Sequence, residues 1–208
     1  MSIYVFCGGD GKGKTTIAKR LSGLLEGKYF KFPYGSDNDS DTPIYSGLVI
    51  REILNDKANK CHSAAFQALQ FVNKLEAIPI IEKLEKEYGS IFVDRWWLSA
   101  LVYGKADGVD EVWSQMLYDM LDRKLRPTLL FIFVGKSFKT DDDIYGKKQA
   151  KIDELYEAYC TAHEKDPIIV RIDVTGKSID EVTVEVLSYI VKSKTKKPEN
   201  PIRLPIKC

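Results

Sequence analysis

The chain has 208 residues, 44% hydrophobic and 11% aromatic, enough to bury a core and suited to one α/β domain. With 31 Lys and Arg against 30 Asp and Glu, its net charge of +1 argues against a global field for nucleic acid or an anionic membrane. Cys7, Cys61, Cys160 and Cys208 form no C-x-x-C pair, so free thiols in a reducing, cytoplasmic compartment are expected rather than a zinc site.

Ser2 to Gly8 reads as a buried strand rather than a signal peptide. A glycine-rich turn follows, and then Ile17, Leu21, Leu24 and Leu25 recur at helical spacing. Tyr29 to Phe32 is a second strand closed by Pro33, and the polar stretch from Gly35 to Pro43 is a loop. Helices are expected over Ile44 to Leu54 and Ser63 to Tyr88. Ile91 to Val93 forms a third strand ending at Asp94. Val112, Trp113, Met116, Leu117, Met120 and Leu121 make a helical apolar stripe. Thr128 to Val134 is a fourth strand, apolar throughout as in a central parallel strand and too short to span a bilayer. A charged loop, about 136–148, precedes a helix marked by Ile152, Leu155, Tyr156 and Tyr159. Ile168 to Ile172 is the fifth strand, Ile179, Val182 and Val186 open a last helix, and a basic tail begins near residue 192. The alternation predicts an α/β fold over residues 1–208: a five-stranded parallel sheet with helices on both faces and ligands at the carboxyl ends of the strands.

Gly8-Gly9-Asp10-Gly11-Lys12-Gly13-Lys14-Thr15 fits G-x-x-x-x-G-K-[ST] at every fixed position, between a strand and a helix. Glycines let backbone N–H groups converge on phosphate oxygens, and the helix N-terminus favours anions. The loop, with Thr16 after it, is the expected triphosphate site. Lys14 reaches the β- and γ-phosphates, and the Thr15 hydroxyl holds Mg²⁺. Asp94, at the end of the third strand, is a second expected Mg²⁺ group. Arg95 beside it suits a phosphate. The competing reading of Asp94-Arg95 is an inert ion pair.

Asp94-Arg95-Trp96-Trp97-Leu98-Ser99-Ala100-Leu101-Val102-Tyr103 resembles the D-R-Y-x-x-S-x-x-A-Y/F segment of thymidylate kinases. Phe6 to Thr16 is similar to their F-E-G-x-D-G-x-G-K-T-T, Asn73-Lys74-Leu75-Glu76 to N-R-x-E, Phe32-Pro33 to F-P, Thr42-Pro43-Ile44 to T-P-I, and the stretch from Ile172-Asp173 to Val182 to I-D-A-x-x-S-I-E-E-V. The similarity spans about residues 2–190. It implies a P-loop kinase, commonly a homodimer, that phosphorylates dTMP with ATP and Mg²⁺. By the same resemblance, Asp10 faces the acceptor's 3′-hydroxyl and Arg95 its phosphate. Ser99 and Tyr103 line the sugar and base pocket, Phe32 belongs to the substrate site, Asn73 and Lys74 face the base, and Thr175 to Lys177 lie near adenine.

The departures cluster at the acceptor site. The family's Glu after the first Phe is Cys7, its base-reading Arg is Lys74, and its base-stacking Phe falls on Gln70 with Phe71 one step along. Gln70 and Lys74 share a helix face, where they either meet a base, including a modified pyrimidine, or are merely solvated. The phosphate-binding Arg after the second strand is missing, leaving Lys31 or Arg51, and the D/E-R-Y/F lid reads Asp143-Ile144-Tyr145. Lys12, Lys139, Lys147 and Lys148 are the available cations, so Lys14, Arg95 and Lys12 are the expected catalytic set.

A switch GTPase is disfavoured, because Asn73-Lys74-Leu75-Glu76 ends in Glu within a predicted helix and no D-x-x-G follows the third strand. A deoxynucleoside kinase stays open, because it needs a general base that Asp37, Asp39 or Asp41 can supply. A P-loop protein without kinase activity stays open because of the missing arginines.

Overall fold

The computed structural model describes residues 2–35, 44–56, 61–138 and 148–195. Asp37, Asp39, Asp41, Asp143-Ile144-Tyr145, Lys139, Lys147 and residues 196–208 lie outside them. The element order is β1 (Ser2–Gly8), α1 (Lys14–Leu24), β2 (Lys28–Lys31), α2 (Tyr45–Asn55), α3 (Ser63–Tyr88), β3 (Ser90–Asp94), α4 (Trp97–Ala106), α5 (Glu111–Lys124), β4 (Leu129–Val134), α6 (Gln149–Ala162), β5 (Ile169–Asp173) and α7 (Ile179–Thr195). All strands are parallel, in the order β2-β3-β1-β4-β5, as the apolar runs predict.

Alternation along the strands splits the core in two. Val5, Cys7, Val93 and Ile132 face the layer that contains α3, α4 and α6, whereas Tyr4, Phe6, Phe92 and Phe131 face α1 and α7. Pairing Phe6 with Asp94 and Gly8 with Phe133 brings the ends of β1, β3 and β4 to one edge, where the glycine loop, Asp94 and Gly135 meet.

Three helices depart from the sequence reading. α4 was not among the expected helices: nine of its ten residues are buried, so it carries no polar face and no periodic stripe. α5 forms where expected but turns most of its apolar stripe outward, Leu121 alone of that stripe being buried. Ser114, Tyr118 and Leu121 are buried, whereas Val112 is 70% and Met116 68% exposed. The last helix runs on through Lys192 to Thr195, where the basic tail was expected to have begun.

Asn73 is a further correction. It was expected to face the base, but it is turned into the protein; its amide accepts from Tyr34 N (2.9 Å) and donates to Tyr34 O (2.9 Å) and Ser46 Oγ (3.0 Å). This fully buried side chain ties α3 to α2 and to the loop after β2, fixing the wall on which Lys74 stands. Leaving such groups unpaired costs about 1–3 kcal/mol each. Asn73→Ala is therefore expected to destabilise the fold by roughly 3 kcal/mol in urea titration, and a loss below about 1 kcal/mol would contradict this role.

Candidate active site

The glycine loop wraps the start of α1. Gly13, at φ 76°, is the helix N-cap in a left-handed conformation that glycine adopts without steric cost, and Lys14 opens the helix. The Lys14 ammonium donates to the Gly9 carbonyl. Burial foremost, aided by the Arg95 charge, takes its pKa down to about 8, despite the opposing pull of Asp94 and Asp10.

Asp94 is 1% exposed. Its Oδ2 accepts from the Thr15 hydroxyl and from Tyr29 OH (3.1 Å), while Oδ1 is buried with no protein partner among the described residues. An orphaned carboxylate oxygen next to a threonine hydroxyl is a hard-oxygen donor set that suits Mg²⁺.

Arg95 follows in a left-handed conformation, φ 66°, which costs a residue with a side chain on the order of 1–3 kcal/mol. Its N–H donates to Phe6 O (2.9 Å), so the turn is held against β1. The guanidinium pairs with Asp10 and lies 5.2 Å from the Tyr103 ring, while Tyr103 OH donates to Asp10 Oδ2 (2.7 Å). Burial alone would raise the Asp10 carboxyl. Arg95, Lys14 and the Tyr103 hydrogen bond outweigh it and hold the carboxyl below its usual value.

One cleft of about 550 Å³ joins these groups. It is lined by residues 10–16, Asp94 and Arg95, by Ser99 and Tyr103 of α4, and by Phe32, Gln67, Gln70 and Lys74; Lys31 and Arg51 also line it. Lys74 is 2% exposed, so it is not a solvated helix residue. Its Nζ reaches Gln70 O and Gln70 Oε1 (both 3.2 Å) and sits 5.2 Å over the Phe32 ring. Burial takes its pKa down to about 7.

Several expected residues stand elsewhere. Phe71 meets the edge of Tyr118 at a centroid distance of 6.3 Å and packs against the core rather than the cleft, because it points off α3 toward α5. Ser99 lines the cleft, but its hydroxyl bridges Cys7 Sγ (3.4 Å) and Tyr156 OH (3.0 Å). Gly8 and Gly9 are packed from behind: a Cβ on Gly9 would lie 2.2 Å from Gln149 Nε2. Thr175 receives the Lys136 N–H (3.0 Å); of this stretch, Ile179 rather than Thr175 to Lys177 lines the cleft. Lys148 pairs with Asp107 at the end of α4. Lys12 departs most. Its side chain is completely enclosed, donating to Gly135 O and pairing with Asp153 at 3.2 Å, so its ammonium is not offered to the cleft. Asp153 and Tyr29 escaped the sequence reading because neither lies in a motif; only the spacing of Gln149 and Asp153, four apart on α6, hinted at a joint role.

Comparison with known proteins agrees with this geometry. The family model for thymidylate kinase matches residues 6–183. A probable thymidylate kinase of Methanococcus maripaludis is 29% identical over 200 residues, covering 91% of this chain and 94% of the relative. The thymidylate kinase of Dictyostelium discoideum is 28% identical, covering 94% and 86%. The solved thymidylate kinase of Candida albicans superimposes with a TM-score of 0.76 at 26% identity, covering 93% of this chain and 92% of that one.

The depressed Lys14 has a consequence for anion binding. A phosphate needs the ammonium form, and above pH 8 that form must be regained by taking up a proton. Triphosphate affinity is therefore expected to fall roughly tenfold between pH 8 and 9.5 in calorimetric titration. For stability the sign is reversed: a lysine held low binds its proton less well folded than unfolded. The contribution of Lys14 to stability thus grows as pH rises from about 8 toward its ordinary 10.5. Triphosphate affinity that stays flat over this range would contradict the assignment.

Proposed function

The chain belongs to the thymidylate kinase family, and on that premise we infer that it moves the γ-phosphoryl group of ATP onto dTMP, giving dTDP and ADP. The observation that carries the site reading is that one cleft is lined by the phosphate loop, by Arg95 and by residues of α3 and α4.

The α1 N-terminus and Lys14 take the β- and γ-phosphates of ATP. Arg95 takes the acceptor phosphate. To do so it trades part of its pairing with Asp10, and the freed Asp10 oxygen can accept from the acceptor's 3′-hydroxyl. The acceptor phosphate is already ionised, so no general base is required, and an in-line attack on the γ-phosphorus needs mainly position and charge. Thr15 and Asp94 would hold Mg²⁺, whose charge offsets that of the β- and γ-oxygens when bound. Tyr103 closes the sugar end, while Lys74 and Gln70 offer an ammonium and an amide to the base. Lys74 can donate to a carbonyl but lacks the bidentate fork of an arginine. A thymine or related pyrimidine carbonyl suits it.

Lys12, expected as a third catalytic cation, is assigned no direct part in the transfer because its ammonium is enclosed. For assembly we favour a homodimer through the outward stripe of α5, where Val112, Met116 and Met120 are exposed on one side of one helix. The described cysteines, Cys7, Cys61 and Cys160, are free thiols, which suits the cytoplasm. No helix among the described residues is long and apolar enough to cross a membrane.

Two measurements test this reading. With ATP and Mg²⁺, dTMP is expected to be converted to dTDP while thymidine is not, and Lys14→Ala should lower kcat by about 10³-fold or more. Product from thymidine alone would overturn the reading. Met116→Glu is expected to shift the protein from dimer to monomer in sedimentation, and a wild-type monomer would rule out the α5 contact.

A further inference from the structure

Lys12 is an odd residue to bury. It stands in the phosphate loop between Gly11 and Gly13, at φ 70° and 76°, yet only 1% of it is exposed. An enclosed ammonium is costly unless its partners are fixed, and those partners are not parts of the loop. One is the Gly135 carbonyl just beyond β4. The other is the Asp153 carboxylate on α6, 3.2 Å from Nζ. Asp153 is itself oriented, because its Oδ1 accepts from Gln149 Nε2 at 2.9 Å one turn earlier. Neighbouring residues repeat the pattern. The space beside Gly9 is filled by Gln149 and Asp153, Ser137 Oγ donates to Asp10 O at 3.0 Å, and Phe138 N–H donates to Gly11 O at 2.9 Å. Residues 9 to 12 are thus each held from behind by residues between Gly135 and Asp153.

We propose that Asp153 is a positioning residue that, through Lys12, clamps the phosphate loop in its phosphate-accepting shape. The physical need is clear from the loop itself. Four of the eight residues from Gly8 to Thr15 are glycines, whose backbone has the most freedom to lose when N–H groups converge on a phosphate. A loop already fixed has less entropy to lose on binding, and the gain appears as affinity and alignment. The clamp adds no contact to the ligand. Lys12 therefore acts on the donor through the backbone, and Asp153 acts through Lys12.

The inference deepens the kinase reading but needs only the phosphate loop, so it is tested by binding of a β,γ-imido analogue of ATP to the full chain. Lys12→Met and Asp153→Asn are each expected to weaken analogue binding about tenfold, and the double variant no more than either alone, the non-additivity of a coupled pair. Asp153→Glu should stay within about threefold of the wild type, and dTMP affinity should move less than about twofold in every variant, which a merely destabilised fold would not respect. Should Asp153→Asn not fold, Gln149→Leu removes only the orienting bond and is expected to weaken the analogue about threefold. Three results would overturn the proposal: losses that add, variants that are all silent, or a loss of about a hundredfold for Lys12→Met with Asp153→Asn unchanged, since that last pattern would put Lys12 on the phosphate itself. Absence of dTMP turnover in the wild type would sink the kinase reading and leave this cycle standing.

Discussion

Two cations and two carboxylates share the carboxyl ends of β1 and β3, and the site depends on their mutual compensation. Lys14 and Arg95 are neighbours whose charges repel, which is part of why the lysine titrates low. Asp94 and Asp10 keep both within the protein. Asp94 lies beside the loop because β1 and β3 pair in parallel, with Phe6 opposite Asp94. The Phe6 carbonyl then takes the Arg95 N–H and fixes its unfavourable backbone turn. Sheet register thus becomes charge placement. Such a cluster, built against the tendency of like charges to separate, is what an anionic ligand on each side would relieve.

The α3 wall tunes the other end of the cleft. A buried ammonium stands where the family pattern has an arginine fork, and its charge is itself marginal near neutral pH. Among the described residues its partners are the Gln70 carbonyl and amide, with the Phe32 ring beneath. Asn73 next to it contributes rigidity, by cross-linking α3 to the loop after β2. Near Arg95 lies Cys7, whose thiol burial pushes up and which engages Ser99 rather than adding a further charge. An acidic residue there would add a negative charge to a cluster already holding two carboxylates.

Much of this was legible in the order of residues. The strands read clearly because a parallel sheet buries both faces, so β4 is apolar throughout and β1 is apolar from Ile3 to Cys7. The phosphate loop read clearly because its geometry demands glycines and a lysine at fixed spacing. What was not legible depends on facing. α4 is buried all round, so periodicity has nothing to detect. The α5 stripe is real, but a helix with two apolar faces does not say which one turns inward. Phe71 and Gln70 are adjacent in sequence and about 100° apart around α3, so the cleft receives one and the core the other. Lys12 showed its charge but not its partner, because Asp153 is 141 residues away and belongs to no motif.

Central to the proposed function is Arg95 as the group that would meet the acceptor's phosphate. Equilibrium binding of dTMP and of thymidine to the wild type and to Arg95→Met isolates that contact, because the two ligands differ only in the phosphate. Arg95→Met is expected to weaken dTMP about a hundredfold, the scale of a lost charge-assisted bidentate contact, and to leave thymidine within about twofold. Equal losses for both ligands would contradict that role.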